Sequence, residues 1–466
     1  MPFSGHEIIA ATGGTLIRGS AARTFTDVST DTRETQTGKL FIPLKGPRFD
    51  GHAFLSAAVK SGATGLLIGE GEEGRLKEIE GDVTVIRVAE TLAALGDVSR
   101  YWRKKFAIPV VAITGSAGKT TTKEMAARIL GLVKKTLKTE GNYNNLVGLP
   151  LTLLQLRKEH EAAILELGTN VPGEIGRLSR IALPDVGLIT NIGPAHLEGL
   201  KSLALVKEEK GELFRHLPEC GTAVVNLDDE AVRELASRRP GPCLTYGLTS
   251  GAEVTAEGVK VTPQGRSFVL RIGEKRGRVE LAAPGTHNLM NALAAAAIGA
   301  ALGIEPDIIR RGLQDFKPIP GRMEVITLGN GAFLINDCYN ANPLSVREAL
   351  MTLRDLRGKQ RGTVIMGDMR ELGEAADALH EEIGGLLAAT GVDRVFLQGA
   401  FARKTAAGAL KKGLSADRIF FPATGEEIAT ALVSSLREGD WLLVKGSRAM
   451  KMEEVVKTIR ERFGVA

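Results

Sequence analysis

The run Ile113-Thr-Gly-Ser-Ala-Gly-Lys-Thr-Thr-Thr122 narrows most sharply what this chain can fold into. It is entered from the apolar stretch Pro109 to Ile113 and left through Lys123-Glu-Met-Ala-Ala-Arg-Ile-Leu130. That order reads as strand, glycine loop, helix, and it calls for an α/β domain with a parallel sheet. Gly115 and Gly118 allow the tight turn. The backbone N–H groups of the loop, Ser116 and Ala117 included, and the helix N-terminus at Lys119 to Thr121 then face phosphate oxygens. Lys119 reaches the outer phosphates and Thr120 offers a hydroxyl to Mg²⁺, so the segment predicts binding of a nucleoside triphosphate. The full pattern G-x-x-x-x-G-K-[ST] would need glycine at 113, where Ile113 stands. The shorter G-x-x-G-K-T-T form points away from GTPase-type switches.

At 466 residues the chain exceeds what one hydrophobic core supports; at ~150 residues per domain, three domains are expected. Lys and Arg number 60 against 55 acidic residues, a net +5. That excess is too small and dispersed to argue for nucleic acid, and it suits an anionic small substrate. Cys220, Cys243 and Cys338 lack C-x-x-C spacing, so neither a disulfide framework nor a structural zinc site is expected, and a reducing cytoplasm fits. Met1 to Thr15 has no basic segment followed by an apolar core. The longest apolar run, Leu289 to Ile304, is too short to span a bilayer comfortably, so no export signal and no membrane insertion are expected. Composition leaves the oligomeric state open, with a monomer favoured.

Strand-like runs at 38–43, 64–68 and 83–88 precede the basic segment Arg103-Lys-Lys-Phe-Ala-Ile-Pro109, which serves as a first boundary. Runs at 110–114, 162–167, 186–190 and 222–226 then alternate with helical patterns, as a parallel sheet with crossover helices requires. The stretch 252–280 suggests a small antiparallel insert, 288–303 returns to helix, and Phe316-Lys-Pro-Ile-Pro-Gly321 reads as a linker. Runs at 332–336, 362–366, 394–397 and 441–444 predict a second doubly wound sheet. The expected domains are 1–105, 106–317 and 318–466: a smaller N-terminal α/β domain, a central P-loop ATPase-type parallel sheet, and a C-terminal Rossmann-like domain.

Ligands of open parallel sheets bind outside the carboxyl ends of the strands. There stand Glu166 in Glu-Leu-Gly-Thr169 and His196 in Asn191-Ile-Gly-Pro-Ala-His, which with Thr120 would make a partial shell for Mg²⁺. Lys210 falls on a helical stripe of Leu203, Val206, Leu213 and Leu217, where an aliphatic residue is expected. Two readings stand: a stem packed on the helix with its ammonium in water, or a desolvated amine able to react with CO₂, giving a carbamate with metal-binding oxygens. The turns Thr30-Asp-Thr-Arg33, Lys45-Gly-Pro-Arg-Phe-Asp-Gly-His52 and Gly141-Asn-Tyr-Asn-Asn145 carry donors suited to phosphate, sugar or carboxylate. Asn336-Asp-Cys-Tyr-Asn-Ala-Asn-Pro343, Gly367-Asp-Met-Arg-Glu-Leu-Gly373 and Lys445-Gly-Ser-Arg448 each follow a predicted strand.

In that order, together with Thr190-Asn-Ile-Gly-Pro-Ala-His, Gly285-Thr-His-Asn with Asn291-Ala, and Pro320-Gly-Arg-Met-Glu, these segments resemble the Mur ligase family, the ATP-dependent amide ligases of bacterial cell-wall synthesis. The resemblance runs over the whole chain. Within the family it favours the member that joins D-alanyl-D-alanine to UDP-N-acetylmuramoyl-tripeptide. It implies ATP and Mg²⁺, with Lys119, His196 and Lys210 in catalysis. Thr120, Glu166, His196 and Lys210 as a carbamate would support the metals. Asn288, Asn291, Arg322 and Asp337 would join the loop residues at ATP. Thr30, Asp31, Arg33, Lys45, Asp50 and His52 would meet the uridine diphosphate. Asn142, Asn144, Asn145, Asn342, Lys445, Ser447 and Arg448 are the other candidates for substrate. His196 is also a candidate base for the incoming amine. The rivals are a folylpolyglutamate synthase-like ligase and a non-catalytic P-loop nucleotide switch.

Overall fold

A computed structural model describes residues 3–47, 49–262 and 265–465; Arg48 of the Lys45 to His52 turn, and Pro263 and Gln264 of the antiparallel insert, lie outside them. The chain divides into two compact units. The first comprises Met1–Val110, Leu137–Leu167 and Arg177–Leu183, and the second Val111–Thr136, Gly168–Gly176 and Pro184–Ala466.

The first unit holds a five-stranded sheet in the order Thr15–Arg18, Thr84–Val88, Gly65–Gly69, Leu40–Phe41, Val28–Ser29. The first pair is antiparallel and the rest are parallel. Phe41, Leu55, Ala58, Leu66, Ile68 and Val85 form a core on one face of it. Gly65–Gly69 is buried throughout, which is why it reads as a continuous apolar run. The basic segment contributes an anchor: Arg103 ends the helix Thr91–Arg103, is 7% exposed, and its guanidinium donates to the carbonyls of Phe106, Ile108 and Ala182.

In the second unit Val111–Thr114, Val186–Ile189, Thr222–Asn226 and Cys243–Tyr246 run parallel. The insert is an antiparallel meander of Val254–Thr262, Gly265–Ile272 and Lys275–Leu281. Its second sheet has the order Glu324–Thr327, Phe333–Asp337, Trp441–Lys445, Gly362–Met366, Arg394–Leu397, Ile419–Phe420, parallel apart from the first pair. Separate apolar clusters cover its two faces, one around Leu350, Leu353, Ile383 and Leu387, the other around Ile428, Leu432, Val455 and Ile459. This is the doubly wound arrangement that alternating strands and helices predict. The linker expected at 316–321 lies between the helix Pro306–Gln314 and the strand Glu324–Thr327.

Candidate active site

The strand Val110–Thr114 enters the loop and the helix Lys119–Leu130 leaves it. Gly115 (φ +144°) and Gly118 (φ +84°) are required twice over, by dihedral and by space. A Cβ would lie 1.8 Å from Thr190 Oγ1 at the first and 2.3 Å from Asn291 Oδ1 at the second. Lys119 Nζ donates to Gly115 O at 2.7 Å, folding the ammonium back over the turn.

The next strand end grips the loop. Thr190 Oγ1 donates to Ala117 O (2.6 Å), Asn191 Oδ1 accepts from Ala117 N (2.9 Å), and Ser116 Oγ donates to Gly193 O (2.9 Å). Thr190 and Asn191 were not among the sequence candidates as individual residues, although their segment was; their place after an apolar run was the available signal. Behind the loop, Asn288 Nδ2 donates to Pro284 O (2.7 Å), Asn291 Nδ2 to Asn288 Oδ1 (3.2 Å), and Thr122 Oγ1 to Asn291 Oδ1 (3.3 Å). Both asparagines are buried, so Asn291 acts on the loop from behind through this chain.

The Rossmann-like sheet reaches the same loop. Arg322 donates to Thr120 Oγ1 at 2.9 Å, and its guanidinium lies 4.1 Å from the ring centre of Tyr339, itself absent from the sequence candidates. A narrow crevice beside the loop is lined by Thr121, Asn288, Phe316, Ile319, Arg322 and Met323, among others.

Five of the candidates are tied to partners within the protein. Asn342 caps the helix Pro343–Arg357: Oδ1 accepts from Ser345 N at 2.8 Å, and Nδ2 donates to Ser116 O at 3.2 Å. Its amide thus serves the loop from outside instead of standing open for substrate. Lys445 and Asp337, expected at different ligands, are partners in register on adjacent strands; Lys445 Nζ donates to Asp337 Oδ2 at 2.5 Å and to Asn340 O at 3.1 Å. Ser447 is buried, its Oγ donating to Ala341 O and accepting from Arg370 N. His52 is buried, with Nε2 accepting from Gly69 N (3.1 Å) and Nδ1 at 2.7 Å from Asp50 Oδ1. Both ring nitrogens are committed to shaping the turn.

Lys210 lies in the helix Leu203–Arg215, whose buried stripe begins at Val206, since Leu203 is 50% exposed. Lys210 is 1% exposed, and among the described residues its amine has no hydrogen bond or ion pair. Burial pushes it well below the usual lysine range, helped by the charge of Lys119 and opposed by Glu209. Its ammonium does not reach bulk water, which removes the snorkelling reading. Glu209 instead turns to the 168–176 loop, accepting from Gly173 N and Ile175 N. His196 (φ 54°) has Nδ1 buried and 2.7 Å from Glu371 Oε2. The contact is within ion-pair reach but too bent for a regular hydrogen bond.

The remaining candidates are in the first unit, apart from Arg448. Glu166 is 3% exposed and accepts from Asn144 Nδ2 at 2.9 Å. Asn145 Oδ1 accepts from Val147 N and Gly148 N, fixing the start of the helix Gly148–Leu153; Asn142 is exposed. Arg33 Nε donates to Asp31 Oδ1 at 2.9 Å, and this pairing pulls the Asp31 carboxyl down to about 2. Thr30 is half-buried and Lys45 exposed. Arg448 pairs with Glu453 at 3.0 Å.

Loop, crevice and sheets define a multidomain α/β nucleotide-binding protein of the P-loop class. The Mur ligase middle domain family model matches residues 113–299, and the Mur ligase glutamate ligase domain model matches residues 321–448. The chain is 38% identical over 448 residues to the UDP-N-acetylmuramoyl-tripeptide–D-alanyl-D-alanine ligase of Escherichia coli, and 36% identical over 434 residues to that of Bacillus subtilis, covering 93% of each. It matches a crystal structure of MurF from Acinetobacter baumannii with TM-score 0.88 and 33% identity, over 99% of both chains. The MurF ligase of Thermotoga maritima in complex with ADP matches with TM-score 0.84 and 29% identity, over 94% of this chain and 97% of that one. The chain belongs to the Mur ligase family.

Proposed function

We propose that this chain is an ATP-dependent ligase that joins D-alanyl-D-alanine to the terminal carboxylate of a UDP-N-acetylmuramoyl-tripeptide in the cytoplasm. The observation that carries this reading is Lys210, a buried amine with no hydrogen bond or ion pair among the described residues, in the same unit as a phosphate loop, in a chain that matches such ligases over nearly its whole length. A nucleotide switch has no need of that lysine, and a folylpolyglutamate-type ligase has no need of a uridine-binding first domain. We assign 1–105 to the uridine diphosphate end, 106–317 to ATP, and 318–466 to closure over the nucleotide.

Joining a carboxylate to an amine in water needs a better leaving group than hydroxide. The γ-phosphoryl group passes to the tripeptide carboxylate, and Lys119 spreads the charge that develops. The neutral amine of the dipeptide attacks the acyl phosphate and phosphate leaves. Sheet-to-loop contacts of the kind made by Arg322 and Asn342 keep water away from that intermediate. The donors fit a divalent cation: Thr120 presents a hydroxyl, His196 an imidazole whose Nε2 has no hydrogen-bond partner among the described residues, and Lys210 an amine poised for carbamylation. When bound, Mg²⁺ neutralises the phosphate oxygens.

The experiment is phosphate release. It should require both the UDP-muramoyl tripeptide and D-alanyl-D-alanine, and Lys210→Ala should lose it and regain part of it with added short carboxylates. Dipeptide-independent turnover, or an unaffected Lys210→Ala chain, refutes the reading.

A further inference from the structure

Glu371 is absent from the nucleotide and substrate assignments, yet the loop carrying it is held in place with unusual thoroughness. After the strand Gly362–Met366 the loop is pinned at three successive residues. Asp368, buried, accepts from Ala400 N (2.8 Å) and Phe401 N (3.0 Å). Met369 N donates to His380 Nε2 (3.0 Å), and Arg370 N to Ser447 Oγ (2.8 Å). Glu371 follows with φ 63°, a conformation that residues with a Cβ adopt only when their surroundings impose it.

What imposes it is the segment that bears His196. Glu198 N donates to Glu371 O at 3.0 Å, and a Cβ on Gly373 would come within 3.2 Å of Glu198 Cα. His196 shares the left-handed backbone at φ 54°, and its Nδ1 lies 2.7 Å from Glu371 Oε2. Nε2 of the same ring has no hydrogen-bond partner among the described residues. A carboxylate on one ring nitrogen fixes the tautomer and the ring plane, and leaves the other nitrogen basic and aimed.

We propose that Glu371 is a positioning residue: its carboxylate holds His196 Nδ1 so that Nε2 faces the divalent cation of the nucleotide site. The inference rests on the metal-dependent reading above. Because Glu371 rides on the Rossmann-like sheet and His196 on the P-loop sheet, the imidazole is correctly aimed only while the two are apposed. The bent contact then straightens when a cation draws the ring.

Mn²⁺ is the probe, with free ion counted by electron paramagnetic resonance as full-length protein and a non-hydrolysable ATP analogue are added. Glu371→Gln should weaken Mn²⁺ binding ~10–100-fold, and Glu371→Asp should recover part of it. Glu371→Gln added to His196→Ala should cost nothing beyond His196→Ala alone. Affinity within twofold of the parent for Glu371→Gln, or losses that add in full in the double variant, overturns the proposal. Neither ligase substrate is present, so failure of the ligase reading shows in phosphate release and failure of this one in the Mn²⁺ titration.

Discussion

Replacing Gly118 with alanine puts a Cβ 2.3 Å from Asn291 Oδ1 at a backbone φ of +84°. The dihedral alone costs about 1–2 kcal/mol for a residue with a Cβ. The clash adds more, because the amide that must move is tied at both ends, accepting from Thr122 Oγ1 and donating to Asn288 Oδ1. Each of the two buried groups left unpaired costs ~1–3 kcal/mol, so a total of roughly 3–8 kcal/mol is expected. Gly303, just past the helix that carries Asn288 and Asn291, is the control: its φ is +70° and nothing lies within 4 Å of an added Cβ. Gly303→Ala should therefore cost only the dihedral term. Hydrogen exchange of the 119–130 helix amides reads local stability directly, which suits a chain of two units that need not unfold in one step. Removing the obstacle gives a sharper test. Gly118→Ala with Asn291→Ala should be more stable than the sum of the single variants, since the second change relieves the clash made by the first. Strict additivity, or equal losses at Gly118 and Gly303, would refute the steric account.

Arg322→Lys keeps a charge near Thr120 but loses the planar stack on Tyr339; affinity for an ATP analogue by calorimetry should fall about tenfold, as expected for ~1–2 kcal/mol of cation–π and hydrogen-bond energy, and an unchanged affinity would remove Arg322 from the site. Burial first, then the charges of Lys445 and Arg266, push the His287 imidazole down to about 3. Its folded pKa lies below the unfolded value of about 6.5. The stabilisation is therefore whole above pH 6.5 and is lost as pH falls from there toward 3, by less than about 1.4 kcal/mol per unit, because 23% of the side chain remains exposed. His287→Gln should flatten the fall of the urea midpoint between pH 6 and 4, and parallel curves would contradict this.

Much of this was readable from strand ends. The P-loop announces itself because its glycines, lysine and threonine have fixed spacing, and Lys210 stands out because a helical stripe of period 3.6 makes a charge conspicuous. The N-cap role of Asn342 was also legible, since Asn followed by Pro is a helix-start signal. Other features depend on packing that no local pattern encodes. Cys243–Tyr246 is a strand of four residues with one fully buried side chain, so periodicity has little to register. The pairing of Asp337 with Lys445 follows from strand register, over 108 positions of sequence. The approach of Glu371 to His196 follows from two separate sheets. Leu203 misled because the apolar stripe runs one turn past the point where the helix meets the core.

The Asn342 cap limits what this position can hold. Aspartate or serine would serve the helix Pro343–Arg357 about as well, since either oxygen can accept from Ser345 N. Aspartate cannot also donate to Ser116 O, and serine has a single short hydroxyl with which to meet both demands. Only a side chain that accepts at one atom and donates at another satisfies helix and loop together. Residues interchangeable in an isolated helix therefore cease to be synonyms here, and the choice of amide records a contact made 226 positions away in the chain.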